Sequence, residues 1–263
     1  MKKIFYLLSI TFLLLQSCSS GDSPDSPGSP DNPNPSGGTL LKKIVCSNGL
    51  VFNYTYNGNK LSKIAGENGE NSGYYKFTYT GDLITKYEIA NNYDEKAMFK
   101  VFNYENNDIK QIKNYSWTGV LEDVDDLIYN NDGTITVTKT DSGSGIKDIH
   151  IYKEYYNSEG NIYKTTNNYG GGETSVDTYE YDTKNSPFKN IIGMTNLSRF
   201  NNTMSDLPYT TFIFPVRGSL NNVIKVNSDD NITASYQFNN QGFPISATIN
   251  ENGQIYILTY YYY

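Results

Sequence analysis

The sequence predicts a mainly all-β protein: tandem antiparallel β-hairpins joined into one continuous twisted sheet, with at most one short helix near 188–200. Three observations predict it. The 263 residues include 25 Tyr and 12 Phe, and only 19% are charged; that much aromatic surface rules out a disordered chain. Ala is scarce, whereas Tyr, Phe, Thr and Ile are common, a balance that favours strands over helices. One pattern also keeps returning: an alternating aromatic strand, an Asn/Asp/Gly turn, then a second strand opened by Leu or Ile.

The N-terminus is read separately. Lys2 and Lys3 precede an apolar run from Ile4 to Leu15, too short for a span of about 20 residues and suited to a signal peptide. The run ends in Leu15-Gln16-Ser17-Cys18, which resembles the bacterial lipobox. That resemblance implies cleavage before Cys18 and acylation of Cys18 by palmitate-type chains, with residues 1–17 removed.

Ser19 to Gly38 holds Ser, Gly, Pro, Asp and Asn with no apolar residue. Such a stretch buries no core and reads as a linker, extended where its prolines impose polyproline geometry. The organisation expected is therefore a signal peptide at 1–17, a lipid-anchored linker at 18–38 and a β-hairpin repeat domain at 39–263. Loss of Lys2 and Lys3 takes the net charge from −7 to −9. An acidic domain is repelled by an anionic surface, so lipid rather than charge must hold it. Ser19 after the Cys resembles sorting to the outer membrane, and Asp22 and Asp25 resemble an acidic surface-export signal. Which face of the membrane the domain occupies stays open.

The repeat is legible residue by residue. Phe52-x-Tyr54-x-Tyr56 runs through Asn57-Gly58-Asn59 to Leu61, and Tyr75-x-Phe77-x-Tyr79 through Gly81-Asp82 to Leu83-Ile84. Phe102-x-Tyr104 leads to Ile109, Tyr129 to Ile135, Tyr156 to Ile162 and Tyr236-x-Phe238 to Phe243. Tyr56, Tyr79, Tyr104, Tyr129, Tyr156 and Tyr181 stand 23, 25, 25, 27 and 25 residues apart, one hairpin per unit. Rings at alternate positions share one face of a strand. Asn and Gly accept the positive φ of tight hairpin turns.

These Tyr-x-x-x-Gly-x-Leu/Ile units resemble the YD repeats of RHS-type shells. The ordering resembles the repeat-bearing lipoproteins of Bacteroidota, and the segment Tyr179 to Ile191 resembles one those lipoproteins share. The likeness spans roughly 40–263 and implies a repeat sheet without an activity to carry over.

The period breaks between Pro187 and Asn222. Phe188, Ile191, Ile192 and Thr195 recur at helical spacing after Pro187, which places the short helix there, covering one face or end of the sheet. Pro208 and Pro215 bound an irregular stretch. Leu220 to Ile224 reads as a degenerate repeat turn, and Ile255 to Tyr260 as the last strand.

The catalytic inventory is thin. The single His, His150, lies in a strand pattern, and Gly143-Ser144-Gly145 is not a nucleophile elbow that could pair Ser142 or Ser144 with it. With Cys18 acylated, Cys46 is alone and packs as a small apolar group. One His and one thiol do not make a zinc site. Glu122, Asp123, Asp125 and Asp126, followed by Asp132, form the densest acidic cluster; Asp123, Asp125, Asp126 and Asp132 are weak oxygen-donor candidates for calcium, though an EF-hand register fails. Their plainer reading is a solvated hairpin turn. Gly170-Gly171-Gly172 and Ser142 to Gly145 do not continue as a phosphate loop. Glu154, Asp177 and Glu180 are the carboxylates from which a glycosidase pair would be drawn. Net acidity disfavours nucleic acid.

Tyr rows remain, with Tyr54, Tyr79, Tyr104 and Trp117 as candidates for stacking on a ligand, cross-strand packing being the main reading. The sequence thus points to an envelope lipoprotein, anchored in the membrane by lipid. Its repeat domain is expected to be non-catalytic, to need no cofactor and to present a surface to a protein or glycan. A carboxylate-based hydrolase acting on glycans and a purely structural envelope component are the alternatives.

Overall fold

The computed structural model describes residues 38–67, 73–91, 97–169, 174–194, 220–228 and 231–263. Sixteen strands follow one another: β1 (Leu41–Cys46), β2 (Val51–Asn57), β3 (Lys60–Glu67), β4 (Gly73–Thr80), β5 (Leu83–Asn91), β6 (Met98–Glu105), β7 (Asp108–Tyr115) and β8 (Leu121–Tyr129). Then come β9 (Thr134–Asp141), β10 (Lys147–Tyr156), β11 (Ile162–Asn168), β12 (Thr174–Asn185), β13 (Asn221–Asn227), β14 (Asn231–Phe238), β15 (Pro244–Glu251) and β16 (Gln254–Tyr262). Every strand pairs antiparallel with its neighbour in sequence, and β1 pairs with β16. The sheet is a closed barrel.

Closure corrects the open twisted sheet expected from the repeat. All-β was right, but a hairpin array of this length curls until its first strand meets its last, leaving no edge to be covered. The end-to-end pair is Ile44 opposite Tyr260 and Cys46 opposite Leu258.

Alternation sets the two faces. On β14, Ile232, Ala234, Tyr236 and Phe238 face the core, and Thr233, Ser235 and Gln237 are exposed. On β9, Ile135 and Val137 are buried, whereas Thr134, Thr136, Thr138 and Thr140 occupy the other face. The buried face carries Phe52, Tyr54, Ile64, Phe77, Tyr87, Phe102, Ile249 and Tyr260 among one continuous cluster. The barrel is therefore apolar inside and mostly polar outside. A membrane-spanning barrel has the reverse arrangement, with an apolar outer band and a polar lumen. Exposed large apolar and aromatic side chains, among them Ile128, Ile149, Ile151, Val176, Ile245, Ile255 and Ile257, interrupt the polar outer face.

Tyrosine hydroxyls tie the hairpins together at their bulges. Tyr104 donates to the Ile84 carbonyl at 2.7 Å, Tyr129 to Ile109 at 3.1 Å and Tyr181 to Ile162 at 2.7 Å. Tyr56, Tyr236 and Tyr262 do the same to Leu41, Val223 and Pro244. Each acceptor immediately precedes the residue that the strand register skips: Lys42, Thr85, Lys110, Tyr163, Ile224 or Ile245. A bulge leaves a ladder group unpaired, and the neighbouring unit's Tyr satisfies it. This is why the repeat couples a strand-end Tyr to a Leu or Ile opening the next strand. The turns between them use left-handed backbone, as at Asn106 (φ 53°) and Asn107 (φ 69°).

One end of the barrel is plugged. Residues 187–193 run as turns and Met194 is helical; the rest of the stretch where the short helix is expected, 195–200, lies outside the described residues. Phe188, Ile191 and Met194 are nonetheless buried in the core, so the segment does cover one end of the sheet. Tyr79, at the same place in the repeat, bonds the backbone of Leu61, just before the bulge at Ser62, and also donates to the Ile192 carbonyl at 3.2 Å. Gly193 has φ +80°, and a Cβ there would lie 2.7 Å from the Asp82 carbonyl oxygen. Thr39, where the barrel begins, accepts a bond from Asn190 at this same end. Asn221 opens β13, where the sequence had read a degenerate turn, and buried Asn222 bonds the Asp182 carboxylate. The stretch bounded by Pro208 and Pro215 lies outside the described residues.

Candidate functional site

The end opposite the plug contains a cavity of ≈ 320 Å³ inside the barrel. Two rows of inward side chains, set by register, build its floor. Tyr87, Lys100, Asn114 and Asp123 lie side by side across β5, β6, β7 and β8. Ile112, Asp125 and Lys139 follow across β7, β8 and β9, with the exposed Asp148 of β10 next in register to Lys139. Ile89, Met98, Leu127 and Val137 supply apolar wall, His150, Tyr152 and Asn167 line it on β10 and β11, and Phe99, Tyr115 and the Glu122 carboxylate also border it.

The polar groups form one network. The Asn114 amide nitrogen donates to both the Asp123 and Asp125 carboxylates, the latter at 3.1 Å. The Lys139 ammonium pairs with Asp123 at 3.1 Å. Burial, helped by the neighbouring Asp123 charge, raises the Asp125 pKa above the ordinary Asp range even though the Asn114 hydrogen bond opposes it. Burial likewise pulls the Lys100 ammonium down, against the attraction of Asp125 and Asp123. Lys139 is also penalised by burial, but its bond to Asp123 and the charges of Asp123, Asp125 and Asp148 prevail and raise it.

Two acceptors beside this cavity are left over, both sealed from its space. Asn114 Oδ1 and Asn167 Oδ1 are buried with no hydrogen-bond partner. An unsatisfied buried acceptor costs about 1–3 kcal/mol, and both amides line the cavity. Lys100 makes no hydrogen bond or ion pair among the described residues.

The acidic cluster singled out from sequence is divided by strand alternation. Asp123 and Asp125 point into the cavity, whereas Asp126 is exposed on the outer face and bonds Gln111 at 2.8 Å. Asp132 sits exposed in the β8–β9 turn, accepting from Thr134. No group of three or more metal-ligating side chains occurs among the described residues. The stacking candidates are placed inside: Tyr54 is 1% exposed, and Tyr79 and Tyr104 are packed against the core with their hydroxyls on backbone carbonyls. They offer no outer platform, because the strand face that carries them is the one the barrel encloses. Trp117 is half-buried in the β7–β8 turn.

Among the other carboxylates, Glu154 and Asp177 both face inward, each opposite Thr165 in register. Glu180 lies outside, paired with Lys225 at 3.0 Å. His150 lines the cavity with its ring 5.8 Å from that of Tyr169, while the Ser144 hydroxyl donates to Asp141. Cys46 is buried and free, and burial pushes its thiol up to about 12. Gly170 to Gly172 and Cys18 lie outside the described residues.

The sequence reading missed Lys100, Asn114, Lys139 and Asn167. A signal for two of these strands was present. The inward row of β6 reads Met98-x-Lys100-x-Phe102-x-Tyr104, and that of β8 reads Asp123-x-Asp125-x-Leu127-x-Tyr129. Charges in a row that is otherwise aromatic or aliphatic mark an interior that is polar on purpose.

No family model matches the chain, and no curated protein is similar to it. Among the solved structures that resemble it at the level of the chain trace are two porin-like proteins. One is a porin-like protein from Bacteroides uniformis, with 11% identity and a TM-score of 0.36, covering 85% of this chain and 96% of that one. The other is a porin-like protein from Bacteroides vulgatus, with 12% identity and a TM-score of 0.49, covering 85% of this chain and 98% of that one.

Proposed function

We propose that the chain is a lipid-anchored envelope protein whose barrel is a non-catalytic binding module, taking one small ligand into the cavity at the end opposite the plug. The observation that carries the binding role is the cavity's chemistry. Apolar walls surround the Lys100 ammonium and the carboxylate pair of Asp123 and Asp125. Sites for small molecules pair apolar walls with a few fixed polar groups in this way. The anchor rests on Leu15-Gln16-Ser17-Cys18 and the apolar run before it. With a polar outer face, the barrel needs lipid rather than its strands to hold it at a membrane.

Thermal unfolding of the detergent-solubilised full chain, alone and with neutral sugars, fatty acids and free amino acids, tests the binding role. One class should raise the midpoint, and Val137→Trp, which fills the cavity, should abolish the rise. Failure of every class ends the binding reading. Cys18→Ala tests the anchor: the protein should move to the soluble envelope fraction with its barrel folded. Continued membrane fractionation with uptake of labelled palmitate would refute it.

One observation favours a second reading, a carboxylate hydrolase acting on glycans. Asp123 and Asp125 share one amide nitrogen inside a concave site, and Asp125 is biased towards its protonated form, as a general acid requires. Turnover of aryl glycosides by the purified chain, lost in Asp125→Asn, would establish it; the absence of turnover across such a panel removes it.

A further inference from the structure

Independently of the cavity, we infer that Asn57, in the β2–β3 turn at the plugged end, is a site of spontaneous covalent modification: the Gly58 nitrogen attacks its side-chain amide, and the product loosens the plug. Asn is a thermolabile residue, most of all before Gly, which has no Cβ to hinder the approach of its own nitrogen. Asn-Gly pairs occur at 48–49, 57–58, 68–69 and 252–253; Asn68 and Gly69 lie outside the described residues. The structure separates the other three. The Gly49 nitrogen donates to the Cys46 carbonyl at 2.9 Å, and Asn48 Oδ1 accepts from the Leu50 nitrogen at 3.2 Å. The Gly253 nitrogen donates to Asn250 Oδ1 at 2.9 Å. Neither the Asn57 side chain nor the Gly58 nitrogen makes a hydrogen bond among the described residues. The strand ladder ends at Asn57 and Lys60, paired across a two-residue turn, so the Gly58 N–H lies outside it. Both Asn57 and Gly58 are exposed, and a Cβ on Gly58 would meet nothing within 4 Å. Water reaches the pair, and a ring has room to form.

The chemistry needs only water. The Gly58 nitrogen bonds to the side-chain carbonyl carbon of Asn57, and ammonia leaves, carrying the proton that the Gly58 nitrogen has lost. The product is a cyclic imide, and water then adds to one of its two carbonyls. Opening at the side-chain carbonyl leaves an aspartate at this position. Opening at the main-chain carbonyl leaves an isoaspartate, whose backbone runs through the former side chain and is longer by a methylene. Either product acts on the plug. The Asn59 carbonyl accepts from the Ile192 nitrogen at 3.0 Å, and Asn59 Oδ1 is buried, so this turn is seated against the segment that fills the barrel end. Lys60, directly across from Asn57, donates to the Gly81 carbonyl at 2.8 Å and pairs with Asp82 at 3.1 Å. Asp82 in turn supports the plug, since its carbonyl oxygen lies where a Cβ on Gly193 would fall. A new carboxylate at position 57 competes with Asp82 for Lys60, and the longer isoaspartate backbone also displaces the Asn59 carbonyl from Ile192.

Incubation of the detergent-solubilised full chain at mildly alkaline pH, followed by digestion and mass spectrometry, reads each pair separately, with the chain held in urea as reference. In the folded chain Asn57 should convert about fivefold or more faster than Asn48 or Asn252, because each of those pairs must first give up a hydrogen bond. In urea the three rates should converge. Asn57→Gln, whose longer side chain closes a ring far less readily, should stay unmodified. Amide exchange at residues 187–194 should be faster in the converted chain than in fresh protein, and unchanged in Asn57→Gln carried through the same incubation. Conversion of Asn48 or Asn252 as fast as Asn57 in the folded chain overturns the site. So does an Asn57 that persists in the folded chain while the urea reference converts. Exchange at 187–194 that does not respond to conversion overturns the link to the plug.

Discussion

The Tyr104 hydroxyl donates to the Ile84 carbonyl at 2.7 Å, and Ile84 is the last residue before the bulge at Thr85. The two residues stand 20 apart in sequence and in successive hairpins, so one hydroxyl joins a unit to the unit before it. Tyr104→Phe keeps the ring in the core and removes only this bond. The loss should be about 1 kcal/mol, somewhat more if the Ile84 carbonyl finds no water. Urea unfolding should show a lower midpoint with an unchanged slope.

Gly193→Ala should loosen the plug. The φ of +80° disfavours any Cβ, and this one would press on the Asp82 carbonyl oxygen and the Tyr79 ring. A cost of about 1 kcal/mol or more is expected where Ala meets a positive φ. Amide exchange should rise at residues 187–194 before it rises in the strands.

Cys46 should be inert in the folded protein. Burial pushes its thiol up to about 12, so the thiolate that reacts with alkylating reagents is almost absent at pH 8. Iodoacetamide should label it only after denaturation. Rapid labelling of the native chain would contradict the packed β1–β16 closure.

Asp125→Asn should stabilise the barrel at neutral pH. Burial raises the folded-state pKa of Asp125 above its unfolded value. Such a group lends stability only while protonated, fully below the ordinary Asp value of about 3.9, and withdraws it as pH rises through the folded value. The variant's advantage should therefore be present at pH 7 and fade as pH falls through that window. Urea midpoints taken across pH 3–7 measure it. A stabilising change that also weakens ligand is the trade expected of a binding site.

The sequence by itself determined the strand content, the repeat and the sharing of one face by the rings. These depend on local rules: alternation places Phe52, Tyr54 and Tyr56 on one face, and positive-φ residues such as Asn106 and Asn107 turn the chain. The reading of Leu15-Gln16-Ser17-Cys18 as an anchor signal likewise draws only on neighbouring residues, and it rests on the lipobox resemblance alone. Only the tertiary structure decided that the sheet closes. The pairing of Ile44 with Tyr260 joins opposite ends of the domain, and no local pattern in either strand names its partner. Closure in turn decided which face is inside, and so hid the Tyr rows that had read as a candidate platform. The cavity was invisible for the same reason. Lys100, Asn114, Asp123 and Lys139 come from four strands, and it is the register between strands, set by bulges and by closure, that brings their side chains to one place.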